Sequence, residues 1–222
     1  NEPIPDTVSL SFLHFTEELP DYVSYQPTFG RQGGLVMMQP IGRDNKNFWR
    51  EYAEYARVNA ALISMKFRLR NRSEVQLSNA KLEVVVEALD GQRFQMIAGA
   101  DLPDAPDIEW NPIQHVRSLP EVLERREARL VVDDDGPTPI CHVRFGSLLP
   151  GEESRSSDTL AVIPQGVGKL RMHFHILAGE LPAPQLTERT LEATGEVTSL
   201  GADDLDELYY RTLQEQDESS GE

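Results

Sequence analysis

Between Ala61 and Ala98 the chain alternates apolar and polar residues so regularly that few folds can accommodate it. Ile63, Met65, Phe67 and Leu69 are interleaved with Ser64, Lys66, Arg68 and Arg70. After a polar break, Leu82, Val84, Val86 and Ala88 are interleaved with Lys81, Glu83 and Glu87. Successive side chains of a strand leave opposite faces, so this period of two predicts strands with one dry and one wet face. Asp90-Gly91 then reads as a two-residue hairpin turn into a strand from Arg93 to Ile97. The pattern predicts an antiparallel β-sheet protein, a scaffold that more often binds than catalyses.

At 222 residues, 39% hydrophobic and 26% charged, the chain has a globular composition and enough length for a sizeable core. Its apolar runs are far shorter than the roughly 20 residues that span a bilayer, so no membrane association is expected. No basic segment followed by an apolar stretch opens the sequence, so no signal peptide is expected. A single cysteine, Cys141, rules out an intramolecular disulfide and fits a reducing, cytoplasmic setting. The formal charge is −16, of which −7 falls between Ala202 and Glu222. Such an acidic balance argues against a general nucleic-acid coat, which needs cations for phosphates.

The pattern predicts a first strand from Thr7 to Phe15, with Val8, Leu10 and Phe12 on one face. An irregular stretch follows through Pro20, Pro27, Gly30, Gly33, Gly34 and Pro40. Asp44 or Asn45 can cap a helix to about Asn59, whose Phe48, Tyr52, Tyr55 and Ala56 share the side expected to pack on the sheet. Asp101 to Asp107 reads as a proline- and acid-rich connection. Ser118 and Glu121 form a capping box for a short helix to about Glu127. Further strands are expected at 128–132, 140–145, 159–163, 169–177 and 186–197, with a tight turn at Leu149-Pro150-Gly151-Glu152. A helix from Asp203 to Leu213 and a frayed tail end the chain. The predicted fold is mainly β, an immunoglobulin-like antiparallel β-sandwich decorated with two or three short helices. The expected organisation is an N-terminal strand and irregular segment over 1–43, packed on a helix-plus-sandwich domain over 44–200. An acidic helix and tail over 201–222 complete it.

Phe67-Arg-Leu-Arg-Asn-Arg-Ser followed by Ala80-Lys-Leu-Glu-Val resembles the strand, Asn-x-Ser/Gly, strand opening of adhesion-type sandwiches of the CARDB-like group. Gly146-Ser-Leu-Leu-Pro-Gly-Glu152 is similar to their G-x-L-x-P-G-E turn, and Val162-Ile-Pro164 and Gly168 to Leu177 follow as in that group. The resemblance covers roughly 61–197. A second, narrower resemblance is to the C-terminal region of bacterial proteins carrying a Schlafen-type AlbA-fold domain. In these a helix similar to Asn47-Phe-Trp-Arg-Glu-Tyr-Ala-Glu-Tyr55 precedes the first sandwich strand. That resemblance implies an accessory module linked to nucleic acids through a domain not visible in this chain.

Catalytic signatures fail residue by residue. Gly166-Val-Gly168-Lys169 lacks the earlier glycine and the following Ser or Thr of a phosphate-binding loop, and no G-x-S-x-G occurs. Asp133-Asp134-Asp135-Gly136 lacks the spacing and distal Glu of a calcium loop and reads as a solvated hairpin turn. His173 and His175 leave the same face of one strand, and His142 or His14 could join them around a metal. Lys169 and Arg171 beside them would repel a divalent ion, so solvent-facing histidines are expected. Cys141 reads as a buried structural thiol and Asn71-Arg-Ser73 as a formal glycosylation sequon. No catalytic residue, metal site or cofactor is expected.

One pattern remains. Lys66, Arg68 and Arg70 line one wet strand face, Lys169, Arg171, His173 and His175 a second, and His142 and Arg144 a third. Adjacent in a sheet, these strands would form a positive patch, unless carboxylates such as Glu83 and Glu87 pair with it. Such a patch would dock something acidic: the Asp203–Glu222 segment, a partner protein or nucleic acid. Leu205, Leu208, Tyr209 and Leu213 form an apolar stripe that either docks into a partner's groove or covers its own domain. The expected function is therefore a non-enzymatic interaction or assembly module of a bacterial cytoplasmic protein, whose partner is another protein or a further domain. The alternative is an accessory domain of a nucleic-acid-linked defence or regulatory protein that uses the basic strand faces.

Overall fold

Strand alternation dictates the architecture that the computed structural model describes for residues 4–23, 43–110, 129–136 and 138–219. The elements are β1 (Thr7–Phe15), β2 (Arg43–Asp44), α1 (Phe48–Ala60), β3 (Ile63–Met65), β4 (Arg68–Arg70), β5 (Leu77–Ala88) and β6 (Phe94–Ala98). A single 3-10 turn at Gly99–Asp101 precedes β7 (Glu109–Trp110), β8 (Arg129–Asp133), β9 (Ile140–Leu148) and β10 (Glu153–Arg155). The last elements are β11 (Leu160–Pro164), β12 (Gly168–Leu177), β13 (Gln185–Leu200) and α2 (Asp204–Ser219). The predicted capping-box helix at 118–127 lies outside the described residues, as does the whole stretch from Pro27 to Pro40.

Two compact units share the chain in an interleaved way. The first comprises 1–13, 57–102 and 122–198, and the second 14–56, 103–121 and 199–222. The sequence-based segments at 1–43, 44–200 and 201–222 are consecutive, whereas these units alternate along the chain.

The first unit is a β-sandwich. One layer is a six-stranded sheet in the order β1-β13-β12-β5-β9-β8, and the other comprises β3-β11-β6 and the ribbon β10-β4. Burial alternates along β5 and most of β9, whereas every residue of β11 is buried and β13 is exposed from Gln185 to Thr190. Leu82, Val84 and Val86 of β5, Leu170 and Met172 of β12, Cys141 and Val143 of β9, and Leu191 of β13 line one inner face. Ile63, Met65, Met96, Ala98, Leu160 and Val162 meet them from the other layer within one buried cluster. Neighbouring strands run antiparallel except at the β1 edge. There Glu192 N–H donates to the Asp6 carbonyl and Thr194 Oγ1 to that of Val8, so the numbers rise together and the pair is parallel. Gly195 sits at this approach with φ 142°, and a Cβ there would lie 1.7 Å from the Leu10 carbonyl oxygen. Only glycine lets the two backbones come so close.

Two local expectations change. The predicted strand from Ile63 to Leu69 divides into β3 and β4, because Ser156, fully buried, takes the backbone of Phe67 between them. Phe67 N–H donates to Ser156 Oγ at 3.1 Å, and Ser156 N–H to the Phe67 carbonyl at 2.9 Å. The Asp90-Gly91 turn does not close a hairpin, since β5 pairs with β12 and β9 whereas β6 pairs with β11 in the other layer. Leu89 N–H donates to the Lys169 carbonyl and Lys169 N–H to Asp90 Oδ2, while Gly91 takes φ 71°. The turn thus carries the chain from one layer to the other.

The two sandwich motifs quoted above meet at Asn71, which is 1% exposed. Its side-chain amide donates to the carbonyls of Val75 (2.8 Å) and Leu148 (3.0 Å). Its Oδ1 accepts from Ser73 N–H (2.9 Å) and Ser73 Oγ (2.7 Å). Its backbone clasps the Leu149–Glu152 turn, donating to the Glu152 carbonyl and accepting from Gly151 N–H. The sequon is therefore structural, with its amide nitrogen committed to the carbonyls of Val75 and Leu148.

The second unit is built around aromatic rings. Phe48, Tyr52 and Ala53 of α1 are buried with Leu205 of α2, and Leu208, Tyr209, Tyr22 and Trp49 pack against them. The Phe48 ring centroid lies 5.2 Å from those of Tyr22 and Tyr209 and 4.9 Å from that of Trp49, all edge-on. The aromatic side of α1 was expected against the sheet, but this stretch packs on α2 instead, because each helix offers the other an apolar stripe. Val58, a turn further on, belongs to the sandwich core. Asn45 organises the start of α1, accepting from Asn47 N–H through Oδ1 and donating to Glu51 and to the Asp107 carbonyl. The helix α2 continues to Ser219, past the expected end at Leu213.

Asn71→Ala should lower stability by about 2 kcal/mol, because it strands the buried Leu148 carbonyl and removes the acceptor for Ser73. Ser73→Ala should cost about 1 kcal/mol. Urea denaturation followed by far-UV circular dichroism, which reports the strands of the sandwich, measures both.

Candidate interaction face

Which cations of the predicted patch are neighbours depends on register. On the outer face of the six-stranded sheet, Glu83 of β5 stands between His142 of β9 and His175 of β12, directly opposite each. Arg171 of β12 is opposite Glu87, His173 is opposite Glu188 of β13, and Lys169 is opposite Glu192. Arg144 of β9 is opposite Lys81. Five of the eight predicted patch residues, Arg144, Lys169, Arg171, His173 and His175, thus share one face with four glutamates.

The geometry there is that of internal pairing. His142 Nδ1 lies 3.5 Å from Glu83 Oε1, which also receives Lys81 Nζ at 2.9 Å. The His173 imidazole, 19% exposed, sits between Glu188 (3.1 Å from Nδ1) and Glu87 (3.4 Å from Nε2). The Nε2 contact lacks hydrogen-bond alignment. The hydrogen bond from Lys81, together with the positive charge of Lys81, His142 and His175, holds the Glu83 carboxyl below its usual range against the opposing effect of burial. Among the described residues no three His, Cys, Asp or Glu side chains converge to hold a metal ion.

Lys66, Arg68 and Arg70 lie in the other layer of the sandwich, so the structure does not bring them beside the β12 cations. Arg68 and Arg70 instead share an outer face with Glu153 and Arg155 of β10, where Glu153 is opposite Arg70 and Arg155 opposite Arg68. Lys66 continues the row, because burial alternates without interruption from Ile63 to Arg70. Glu153 Oε1 lies 3.4 Å from Arg68 and 3.6 Å from Arg155. Sequence reasoning missed Arg155. Its strand has only three residues, and its placement depends on the Asn71 clasp, which no periodicity reports. The only local signal was the Pro150-Gly151-Glu152 turn, which ends three residues earlier.

The remaining candidates are placed plainly. Leu205 is fully buried, and Leu208 and Tyr209 are packed beside it, so these three cover their own chain instead of presenting a free stripe. The Leu213 side chain lies outside those described. Burial in the aromatic cluster raises the Tyr209 hydroxyl above its usual range, helped by the nearby Tyr210 and Asp107. His14 is exposed on β1. Asp133 accepts from Asp135 N–H at 3.2 Å in the exposed link between β8 and β9. Cys141 points into the core with no exposure, while its neighbour His142 faces outward. Burial pushes the Cys141 thiol up to about 12, so it is un-ionised at neutral pH and a poor nucleophile. Among the described residues no helix is long and apolar enough to cross a membrane.

No protein-family model and no curated protein matches this chain. Among solved structures it is similar to a cohesin module from a family 33 glycoside hydrolase of Clostridium perfringens, at TM-score 0.29 and 9% identity over 60% of this chain and 100% of that one. It is also similar to a family 123 glycoside hydrolase from Clostridium perfringens, at TM-score 0.24 and 12% identity over 63% of this chain. The match spans 21% of that second protein. Neither likeness bears on what this chain does.

Two outcomes are expected from these groups. A thiol reagent such as Ellman's should leave Cys141 unmodified in the native protein and react fully once urea unfolds it. Glu83→Gln should destabilise the protein above about pH 5, where the unfolded carboxyl is ionised. The folded carboxyl titrates lower, so wild type loses this advantage as pH falls through that lowered range, and the two urea midpoints should converge there.

Proposed function

We propose that this chain is a non-enzymatic protein-interaction or assembly module of a bacterial cytoplasmic protein, engaging its partner by strand addition. The observation that supports this reading is the edge offered by the first part of β13. From Gln185 to Thr190 every residue is exposed, and among the described residues the only strand beside this stretch is β12. The register with β12 is unbroken from Gln185 to Ala193, and Glu192 N–H points away from β12 toward Asp6. By the period of two, Leu186, Glu188 and Thr190 direct their N–H and C=O groups to the same open side. Leu186, 67% exposed, adds an apolar anchor on the sheet's outer face. An extended segment of a partner would satisfy these backbone groups and continue the sheet. An adhesion-type sandwich of the CARDB-like group is in keeping with such a role.

Glu188→Pro tests this directly. Proline there removes an edge-facing N–H and leaves the β12 ladder intact, so the fold should survive. Glu188→Gln separates the loss of charge next to His173 from the blocked edge. In pull-downs from native lysate treated with nuclease, wild type and Glu188→Gln should retain a protein partner that Glu188→Pro loses. Partners that vanish with nuclease for every variant would instead favour the nucleic-acid-linked accessory domain.

A further inference from the structure

The ribbon formed by β4 and β10 carries a charge arrangement that the fold alone does not require. Arg68 and Arg155 stand directly opposite each other, and like charges so placed destabilise a strand pair. Arg70 lies one pleat along and Lys66 one pleat the other way, and all four side chains are on exposed residues. Within the two strands the carboxylate on this face is Glu153, which lies 3.4 Å from Arg68 and 3.6 Å from Arg155. In a chain of formal charge −16, this is a locally basic surface. At physiological ionic strength charges beyond about 8 Å are largely screened, so the nearby cations decide what the ribbon attracts.

We propose that this face binds an extended acidic peptide segment of a partner protein, whose carboxylates seat against Lys66, Arg70 and Arg155. The inference extends the interaction-module reading but does not use the β13 edge, so either can fail alone. Three features select this ligand. Arginine forks match carboxylates in a planar, two-point geometry, and Glu153 already sits against two of them. The cations at 66, 68 and 70 repeat every second residue, roughly 7 Å apart, the spacing that alternate residues of an extended peptide present. The face holds no aromatic ring among the described residues, so it lacks the stacking platform that single-stranded nucleic acid uses.

The test is fluorescence anisotropy with the full chain and a labelled octapeptide of alternating Glu and Thr, run at about 0.1 M salt. Saturable binding is expected, with none for the same peptide carrying Gln in place of Glu. The triple variant Lys66→Gln/Arg70→Gln/Arg155→Gln should weaken binding by about tenfold or more. Lys169→Gln/Arg171→Gln, on the opposite layer, should leave it within about twofold. Urea midpoints close to wild type would show that the triple variant still folds, as three exposed substitutions should. Glu188→Pro should bind the peptide normally, which separates this inference from strand addition. Absence of saturable binding, equal weakening by both multiple variants, or tighter binding of an eight-nucleotide oligothymidylate would each overturn it.

Discussion

The hydrogen-bond hub of Asn71 is the constraint on which the second layer of the sandwich depends. One buried amide ties the end of β4 to the end of β9 and to the turn that launches β10. A carboxamide suits this place because it donates twice and accepts twice without charge, so every bond it makes replaces one lost to water. Aspartate would lose both donors and bring an unpaired charge into the core. With the hub in place, β4 and β10 come into register, and with them the arginine row. The surface chemistry of the ribbon follows from the satisfaction of a single buried polar group.

A different logic governs the six-stranded sheet. Its outer face sets Glu83, Glu87, Glu188 and Glu192 opposite the histidines and cations of β12, which offsets the row of bases predicted there, while Arg144 of β9 faces Lys81 and Arg129. Such pairs contribute little energy each at a solvated surface, but they disfavour register slips that would set like charges opposite one another. The inner face carries the stability, through Val84, Val86, Leu170 and Met172, all fully buried.

How far the sequence reveals all this depends on the range over which each pattern acts. Alternation is local, so β1, β5, β9 and β12 were legible as strands, and with them the sandwich class. Pairing is not local. The Asp90-Gly91 dipeptide has the composition of a hairpin turn, yet only Lys169, nearly eighty residues away, reveals that it carries the chain between layers. The basic patch failed as a unit for the same reason. Lys66, Arg68 and Arg70 share parity with one another, but parity does not say which layer a strand joins. For the apolar stripe on α2 the sequence offered two possible uses. What decided between them was Phe48 and Tyr52, whose rings already occupied the complementary surface.

The parallel pairing of β1 with β13 carries a consequence for how the chain is made. Thr194 reaches back to Val8 across a separation of 186 residues. A ribosome adding about 5 to 20 residues per second would leave β1 without its partner for on the order of ten to forty seconds. During that time Val8, Leu10 and Phe12 are an apolar row with nothing to cover them. Of the described strands, β1 is thus made before the others yet is among the last to be paired, and the edge it forms can close only once β13, 186 residues further on, has emerged.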